Sequence, residues 1–199
     1  MTNHYYNSNL ETKSNEKTIK IELLENELTF ITDNGVFSKS AVDYGSKVLI
    51  ENCVMNTGYI KVLDVGCGCG PIGISLAKKF SNIHYDLVDV NLRAINLAKK
   101  NAEINNLKNI SIFESNIYEM INTIYDCILS NPPIRAGKIV VHQILEESIM
   151  YLNPGGSIYI VIQKKQGAPS AMEKLTQVYG NCEIICRDKG YYILRSIKK

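Results

Sequence analysis

From Gly58 onward the sequence repeats one unit, in which a short apolar strand is followed by a turn and an amphipathic helix. Short apolar runs predict the strands, and an apolar spacing of about 3.6 residues predicts the helices. The predicted strands are 59–65, 84–88, 109–114, 125–129 and 157–162, and the predicted helices are 71–80, 92–105, 138–152 and 169–179. Strands that alternate with helices of this length form a mostly parallel sheet with helices on both faces.

The two ends of the chain depart from this repeat. Alternating residues around Glu25-Asn26 predict a β-hairpin of strands 19–24 and 27–31, and residues 40–53 have the spacing of a helix. The tail contains two extended runs, 182–186 and 191–197, whose connection is too short for a crossover helix, so they pair antiparallel. Residues 153–156, Asn-Pro-Gly-Gly, are predicted to end the helix that precedes them.

The predicted organisation is a flexible arm over 1–17 and a single domain over 18–199, with the hairpin and helix in 18–57 and the sheet core in 58–199. At 199 residues and 45% hydrophobic content, the chain can bury one full core. Its net charge of +2 is unevenly distributed: residues 1–130 have 12 Lys and Arg against 15 Asp and Glu, whereas 131–199 have 10 against 5. The basic excess therefore follows the sequence Asn131-Pro132-Pro133.

The 6 cysteines appear without a signal peptide, which favours reduced thiols in a cytoplasmic protein. Their spacings, Cys67-x-Cys69 and Cys182-x3-Cys186, do not match paired zinc knuckles, so we expect no metal site. No apolar stretch approaches the roughly 20 residues of a membrane span, and we expect a soluble protein.

A glycine-rich turn, LDVGCGCGPIG at 63–73, follows the first strand of the repeating part. Ligands of such sheets bind beyond the carboxyl ends of the strands, and glycines let a ligand approach the backbone closely. The spacing of Gly68, Gly70 and Gly73 matches the dinucleotide fingerprint. Asp89 follows Gly70 at about the spacing of a ribose-binding acid. A nicotinamide-dependent oxidoreductase therefore stays open as one alternative.

Asp64, at the end of its strand and two residues ahead of the first glycine, Gly66, favours a cationic ligand. A carboxylate beside a pyrophosphate would be repelled, at a cost of about 4 kcal/mol for two unit charges 4 Å apart in an effective dielectric near 20. S-adenosylmethionine has an ammonium, a sulfonium and a ribose diol. Asp64 suits its positive charge, and Asp89 suits the diol as a bidentate acceptor.

The segment SNPPIRAGK, 130–138, follows the predicted strand 125–129 and is rich in acceptors. Pro132 and Pro133 have no backbone N–H, while Asn131 adds a side-chain carbonyl. Such a site selects an amine, because acceptors on its hydrogens free the nitrogen lone pair for attack on a methyl group. Positioning of the amine and electrostatic stabilisation would supply most of the acceleration of methyl transfer. A strong general base is therefore not needed to activate the amine.

Taken together, these motifs resemble the small-domain S-adenosylmethionine-dependent methyltransferases of class I that modify the N2 amino group of guanine in bacterial 16S ribosomal RNA. The similarity runs from about Leu28 to the end. The segments that carry it are NGVFSK at 34–39, DVGCGCG at 64–70, DVN at 89–91, SNIYE at 115–119, NPPI at 131–134 and GYYILRS at 190–196. The resemblance implies a Rossmann-like methyltransferase fold with a seven-stranded, mostly parallel sheet, an antiparallel last strand and the catalytic domain alone.

The resemblance also implies roles for individual residues. Phe37 would lie near the methionine part of the cofactor, Asn116 and Ile117 would flank its adenine, and Asn131 would hold the target amine. The implied cofactor site comprises Phe37, Asp64, Gly66, Cys67, Gly68, Gly70, Asp89, Val90, Asn116, Ile117 and Asn131, and the catalytic residues are Asn131 and Pro132. The expected partner is ribosomal RNA or the small ribosomal subunit, contacted by Pro133, Ile134, Arg135, Lys138, Lys164 and Lys165.

Other functions stay open at this point. The same acceptor turn serves methylation of protein glutamine side chains or of adenine. Besides the nicotinamide enzyme, a catalytically silent RNA-binding assembly factor would keep the same fold.

Longer members of the family carry an additional domain ahead of the catalytic one, and we expect that this chain has no room for it.

Overall fold

The carboxyl ends of neighbouring parallel strands meet at one edge of a central sheet in the computed structural model of this protein, which describes residues 15–34 and 42–199. The strands are β1 (Lys17–Leu23), β2 (Asn26–Thr32), β3 (Lys61–Val65), β4 (His84–Asp89), β5 (Ile110–Glu114), β6 (Tyr125–Ser130), β7 (Leu152–Gln163), β8 (Glu183–Asp188) and β9 (Tyr191–Ile197). The central sheet has 7 strands in the spatial order β5-β4-β3-β6-β7-β9-β8, and β1 pairs with β2 in a separate hairpin.

The strand directions confirm the predicted fold class. β3 pairs parallel with β4 on one side and with β6 on the other, so the strand order reverses beside it. The sheet continues in parallel to β5 and β7, and the last strand, β9, runs antiparallel to both β7 and β8. The switch point at which such folds bind ligands therefore lies between β3 and β6.

Helices cover both faces of the sheet. They are α1 (Tyr44–Asn52), α2 (Pro71–Lys79), α3 (Leu92–Ile104), α4 (Lys138–Glu147) and α5 (Ala168–Tyr179). Residues of α1, α2, α3 and the hairpin share one apolar core, and residues of α4 and α5 share the other.

Among the described residues the longest helix has 13 residues. No helix in 15–34 or 42–199 combines the length and apolar character of a membrane span.

The predicted end of the fourth helix was wrong. The helix stops at Glu147 and is followed by a 3-10 turn over Ser148–Tyr151, so Asn-Pro-Gly-Gly lies at the start of β7. Ser148 Oγ donates to Leu145 O at 2.8 Å, a local bond that competes with a regular helix. Gly155 N donates to Lys198 O at 2.7 Å, so this segment pairs with the end of the chain.

Two asparagines, Asn101 of α3 and Asn105 directly after it, attach the hairpin to the rest of the fold. Asn101 Oδ1 accepts from Ile31 N at 2.6 Å, and its Nδ2 donates to Ile31 O at 3.0 Å. Asn105 pairs in the same way with Thr29, at 3.0 and 2.7 Å. Asn101 Nδ2 also donates to Cys69 O at 2.9 Å, which connects the hairpin to the glycine turn.

Gly73, in the first turn of α2, lets this helix lie directly against β4. A Cβ atom at Gly73 would lie 2.5 Å from Leu87 Cδ1 and 2.7 Å from its Cγ. We expect Gly73→Ala to lower the free energy of unfolding by about 1–3 kcal/mol, because the buried Leu87 must move. Urea unfolding measures this, with Gly58→Ala as the control because a Cβ atom there meets nothing within 4 Å. Equal loss in both variants would contradict the packing argument.

Candidate functional site

The structure brings Asp64, Asp89 and Asn131 to one edge of the sheet. Asp64 lies in β3, Asp89 ends β4, and Asn131 follows the last residue of β6. Ser130 Oγ donates to Val65 O at 2.7 Å, which ties the end of β6 to the end of β3. Asp64 and Asn131 are therefore on neighbouring parallel strands that end together.

The glycine turn after β3 has a defined backbone conformation. Gly66, Gly68 and Gly70 have φ values of 72°, 58° and 87°, in the left-handed region that favours glycine. Gly66 N and Cys67 N both donate to Val88 O, at 2.8 and 2.9 Å, so the turn is fixed to β4. A Cβ atom at Gly66 would lie 3.8 Å from Pro133 Cδ, so this turn faces the Asn-Pro-Pro segment directly.

The Asp64 carboxylate is fully buried and only half satisfied. Oδ2 accepts from Gly73 N at 3.0 Å, whereas Oδ1 has no hydrogen-bond partner within the described part of the chain. Burial raises the pKa of Asp64 to about 7, and the N–H of Gly73 opposes this change. A buried acceptor without a donor is costly, and a cationic donor would remove that cost. The residues present therefore fit a ligand with an ammonium group on this side of the turn.

Asp89 is positioned by backbone N–H groups on both sides. Its Oδ2 accepts from Gly68 N and its Oδ1 from Asn91 N, both at 2.9 Å. Burial raises the pKa of Asp89, and the N–H groups of Asn91, Gly68 and Val90 oppose this change. A carboxylate held in one orientation can accept from two vicinal hydroxyls, as a ribose diol requires.

The turn after β5 lies against Asp89 and contains the two residues predicted near an adenine. Ser115 N donates to Asp89 O at 3.1 Å, which brings the turn to the β4 end. Asn116 Nδ2 donates to Glu119 Oε1 at 2.7 Å. Ile117 is buried and has a φ of 54°, an uncommon conformation for a β-branched residue. This strained position is typical of a residue held for a specific contact.

Asn131 is oriented by two residues that the sequence analysis did not identify. Its Nδ2 lies 3.2 and 3.1 Å from the two carboxylate oxygens of Asp43 and donates to Ser46 Oγ at 3.0 Å. Asp43 also caps α1, accepting from Gly45 N at 2.9 Å and Ser46 N at 3.2 Å. With the NH2 group occupied, Asn131 presents its Oδ1, to which no residue of 15–34 or 42–199 donates.

The rest of the Asn-Pro-Pro segment forms a tight corner. Pro132 is buried, and Pro133 O accepts from Ala136 N at 2.8 Å in a short 3-10 turn over Ile134–Ala136. The Pro133 carbonyl therefore already uses one of its two lone pairs within the chain, which favours Asn131 and Pro132 as the acceptors for a ligand. Ile134 is half-buried and packs against the core that contains α4 and α5.

The basic residues predicted near the site lie at the same edge. Arg135 and Lys138 are exposed beside the corner, and Lys164 and Lys165 are exposed in a 3-10 turn directly after β7. Across 15–34 and 42–199, none of these four forms a salt bridge.

Phe37 lies outside the described residues, so its predicted position stays a prediction.

The cysteines near the glycine turn are free thiols in this structure. All 6 cysteines are free, and burial raises the pKa of Cys67, in the glycine turn, well above its usual value. Cys67 is therefore a neutral thiol whose backbone, rather than its sulfur, shapes the turn. Within the described ranges, no three His, Cys, Asp or Glu side chains lie close enough to share a metal ion.

Comparison with known families matches residues 27–195 to the methyltransferase small domain. The chain belongs to this family. The YbxB protein of Bacillus subtilis (strain 168), which is described as uncharacterized, is 44% identical over 200 residues and matches along the full length of both chains. Ribosomal RNA small subunit methyltransferase C of Colwellia psychrerythraea (strain 34H / ATCC BAA-681) is 35% identical over 175 residues, which cover 85% of this chain and 47% of that protein.

Solved structures of methyltransferases have the same fold. The 16S rRNA N2 methyltransferase RsmC of T. thermophilus, in complex with AdoMet and guanosine, superposes with a TM-score of 0.82 at 25% identity, covering 94% of this chain and 52% of that one. This chain thus spans about half the length of RsmC and of the Colwellia enzyme. Membership of a methyltransferase family decides against the nicotinamide-dependent alternative.

Proposed function

We propose that this protein is an S-adenosylmethionine-dependent methyltransferase that modifies the exocyclic N2 amino group of a guanine in 16S ribosomal RNA. The observation that carries this proposal is the orientation of Asn131, whose NH2 group is bound by Asp43 and Ser46 while its Oδ1 is presented at the switch point of the sheet. An amide oxygen held in this way accepts from an amine. RsmC, the relative whose structure contains AdoMet and guanosine, is named for this reaction.

The cofactor would be bound along the tips of β3, β4 and β5. Asp64 accepts from an ammonium, the turn of Gly66, Cys67, Gly68 and Gly70 allows close backbone approach, and Asp89 accepts from a diol, with Val90, Asn116, Ile117 and Phe37 alongside. S-adenosylmethionine supplies an electrophilic methyl group when bound. The two carboxylates and the glycine turn would hold the cofactor beside Gly66, where an added Cβ atom would lie 3.8 Å from Pro133 Cδ.

The chain's part in catalysis is to hold and polarise the target amine. Asn131 Oδ1 and the Pro132 carbonyl accept its two hydrogens, which directs the nitrogen lone pair away from the guanine ring. Positive charge would develop on that nitrogen as its bond to the methyl carbon forms and the bond from that carbon to the donor sulfur breaks. The Asp43 carboxylate, about 3 Å behind the Asn131 amide, stabilises this charge through the amide dipole. The nitrogen then becomes acidic and releases its proton to water.

The target nucleotide would reach this corner from the side of Pro133 and Ile134. Ile139, in the first turn of α4, is 84% exposed and adds apolar surface for a base taken out of its stack. Arg135, Lys138, Lys164 and Lys165 suit contacts to phosphates, which position a substrate without reading its sequence.

A methyl-transfer assay tests this function. Purified protein and isotopically labelled cofactor are incubated separately with naked 16S rRNA and with small ribosomal subunits, both isolated from cells that lack the protein. Mass analysis of the nucleosides then identifies the product. N2-methylguanosine is the expected result. Methyladenosine, or methylglutamine in a protein digest, would contradict the proposed substrate, and no transfer in any arm would favour the silent assembly factor.

Reversing the charge of Lys164 and Lys165 should weaken RNA binding and leave cofactor binding unchanged. We expect Lys164→Glu/Lys165→Glu to weaken RNA binding by about 10-fold or more at low salt, because each lost phosphate contact also loses its counterion release. Lys99→Glu/Lys108→Glu is the matched control, since both lysines are exposed and the change in net charge is the same. Equal loss of RNA and cofactor binding in the test variant would instead indicate misfolding.

A further inference from the structure

We infer that the end of β8 and the turn that follows it, with Arg187 and Lys189, form an additional phosphate-binding element for the RNA substrate. This inference rests on the proposed function, and it adds two cations, Arg187 and Lys189, that neither the sequence motifs nor the catalytic corner includes.

The topology places this turn at the edge where the reaction occurs. β7 and β8 both pair antiparallel with β9, so β8 runs in the same direction as β6 and β7 and ends on their side. Lys164 N donates to Gly190 O at 2.8 Å, which fixes the turn beside the lysines that follow β7. With strands about 4.8 Å apart, the turn lies about 10–15 Å along the edge from Asn131, within reach of nucleotides that flank the target.

The cations at this edge are not held in salt bridges within the described part of the chain. Among the described residues, the salt bridges involve other cations, and none includes Arg135, Lys138, Lys164, Lys165, Arg187 or Lys189. Asp188, the last residue of β8, accepts from the Tyr44 hydroxyl, and Arg187, Asp188 and Lys189 together have a formal charge of +1. With Arg135 and Lys138 after β6 and Lys164 and Lys165 after β7, they form one basic edge, which is suited to a polyanion.

Lys189 is held in a conformation that its side chain disfavours. Its φ is 43°, in the left-handed region that glycine or asparagine adopts with less strain. Its Nζ lies 4.5 Å from the centre of the Tyr44 ring, and the residue as a whole is exposed. Arg187 is likewise exposed, with its guanidinium 5.1 Å from the Tyr192 ring centre. Each ring face fixes the position of one cation while leaving it open to phosphate.

The test variant is Lys189→Gly, because glycine fits this backbone conformation and the fold is kept. RNA binding to 16S rRNA is measured by fluorescence anisotropy over a series of salt concentrations, alongside the melting temperature. We expect an unchanged or higher melting temperature, binding that is about 3- to 10-fold weaker at low salt, and a salt slope that is shallower by about 0.7–0.9. Lys189→Arg should keep the wild-type slope. Lys108→Ala, an exposed lysine at the opposite edge of the sheet, is the control and should change neither quantity.

The outcomes separate this inference from the proposed function. Wild-type protein that binds no RNA would contradict the proposed function and the inference with it. Wild-type protein that binds RNA, together with a Lys189→Gly variant of the same affinity and salt slope, would overturn the inference alone. Weaker binding with an unchanged salt slope would also overturn it, since Lys189 would then act only on the shape of the turn.

Discussion

Replacing Asn131 with alanine is expected to lower turnover by at least about 100-fold, the effect typical of losing one preorganised polar group at a reacting centre. The variant loses the oxygen that accepts from the target amine, so the nitrogen lone pair is no longer directed. Cofactor affinity should stay within about twofold, because Asp64, Asp89 and the glycine turn are unchanged. Single-turnover kinetics and titration with S-adenosylhomocysteine measure the two effects separately.

Exchanging the side chains of Asn131 and Asp43 is the control for this prediction. Asn131→Asp alone places two carboxylates where Nδ2 and Oδ2 are now 3.1 Å apart, so we expect strong loss of turnover. Adding Asp43→Asn should restore part of it, because an asparagine still caps α1 and its amide can donate to the carboxylate introduced after β6. A merely structural Asp43 predicts no such rescue. Normal turnover in Asn131→Ala would contradict the role given to Asn131.

Replacing Asp64 with asparagine is expected to weaken cofactor binding by about 100-fold while making the cofactor-free protein more stable. The amide side chain of the variant can still accept from Gly73 N, but it no longer has the charge that attracts an ammonium and a sulfonium. Stability rises because burial moves the pKa of Asp64 from 3.8 to about 7, so ionising this group in the folded protein is costly.

The sign of this effect follows from proton binding. Between about pH 4 and pH 7 the folded state holds a proton on Asp64 that the unfolded state has lost, so wild-type stability falls as the pH rises through this window. The asparagine variant does not lose stability in this way, because its side chain has no proton to release in this pH range. At pH 8 it should be more stable by up to about 4 kcal/mol, less the cost of burying the new amide N–H groups. Urea unfolding at pH 4 and pH 8 without cofactor measures the difference. A variant that binds cofactor normally and gains no stability at pH 8 would contradict the role of Asp64.

The parts of the site that sequence could predict are those that strand polarity determines. Asp64, Asp89 and Asn131 each end or follow an apolar run, and parallel strands bring such ends to one edge whatever their exact packing. The glycine turn was recognisable for a similar reason, since Gly66, Gly68 and Gly70 occupy positions that require positive φ. These features depend on local sequence and on the direction of the strands.

The parts that sequence could not predict depend on contacts between distant elements. The contact between Asp43 and Asn131 spans 88 residues and depends on how α1 docks beside the end of β6. The pairing of Asn101 with Ile31 and Cys69 is equally remote. The helix end at Glu147 was missed because Ser148 bonds locally to Leu145, a competition that apolar periodicity does not reveal.

A crystal structure of the protein with S-adenosylhomocysteine and guanosine would test the roles of Asp64 and Asn131 together. We expect the ligand ammonium on the side of Asp64 Oδ1, directly or through one water, and guanine N2 within about 3.2 Å of Asn131 Oδ1. The sulfur should face N2 across the gap beside Gly66. A guanine whose amino group points away from Asn131 and Pro132 while the cofactor is fully bound would contradict the proposed role of Asn131.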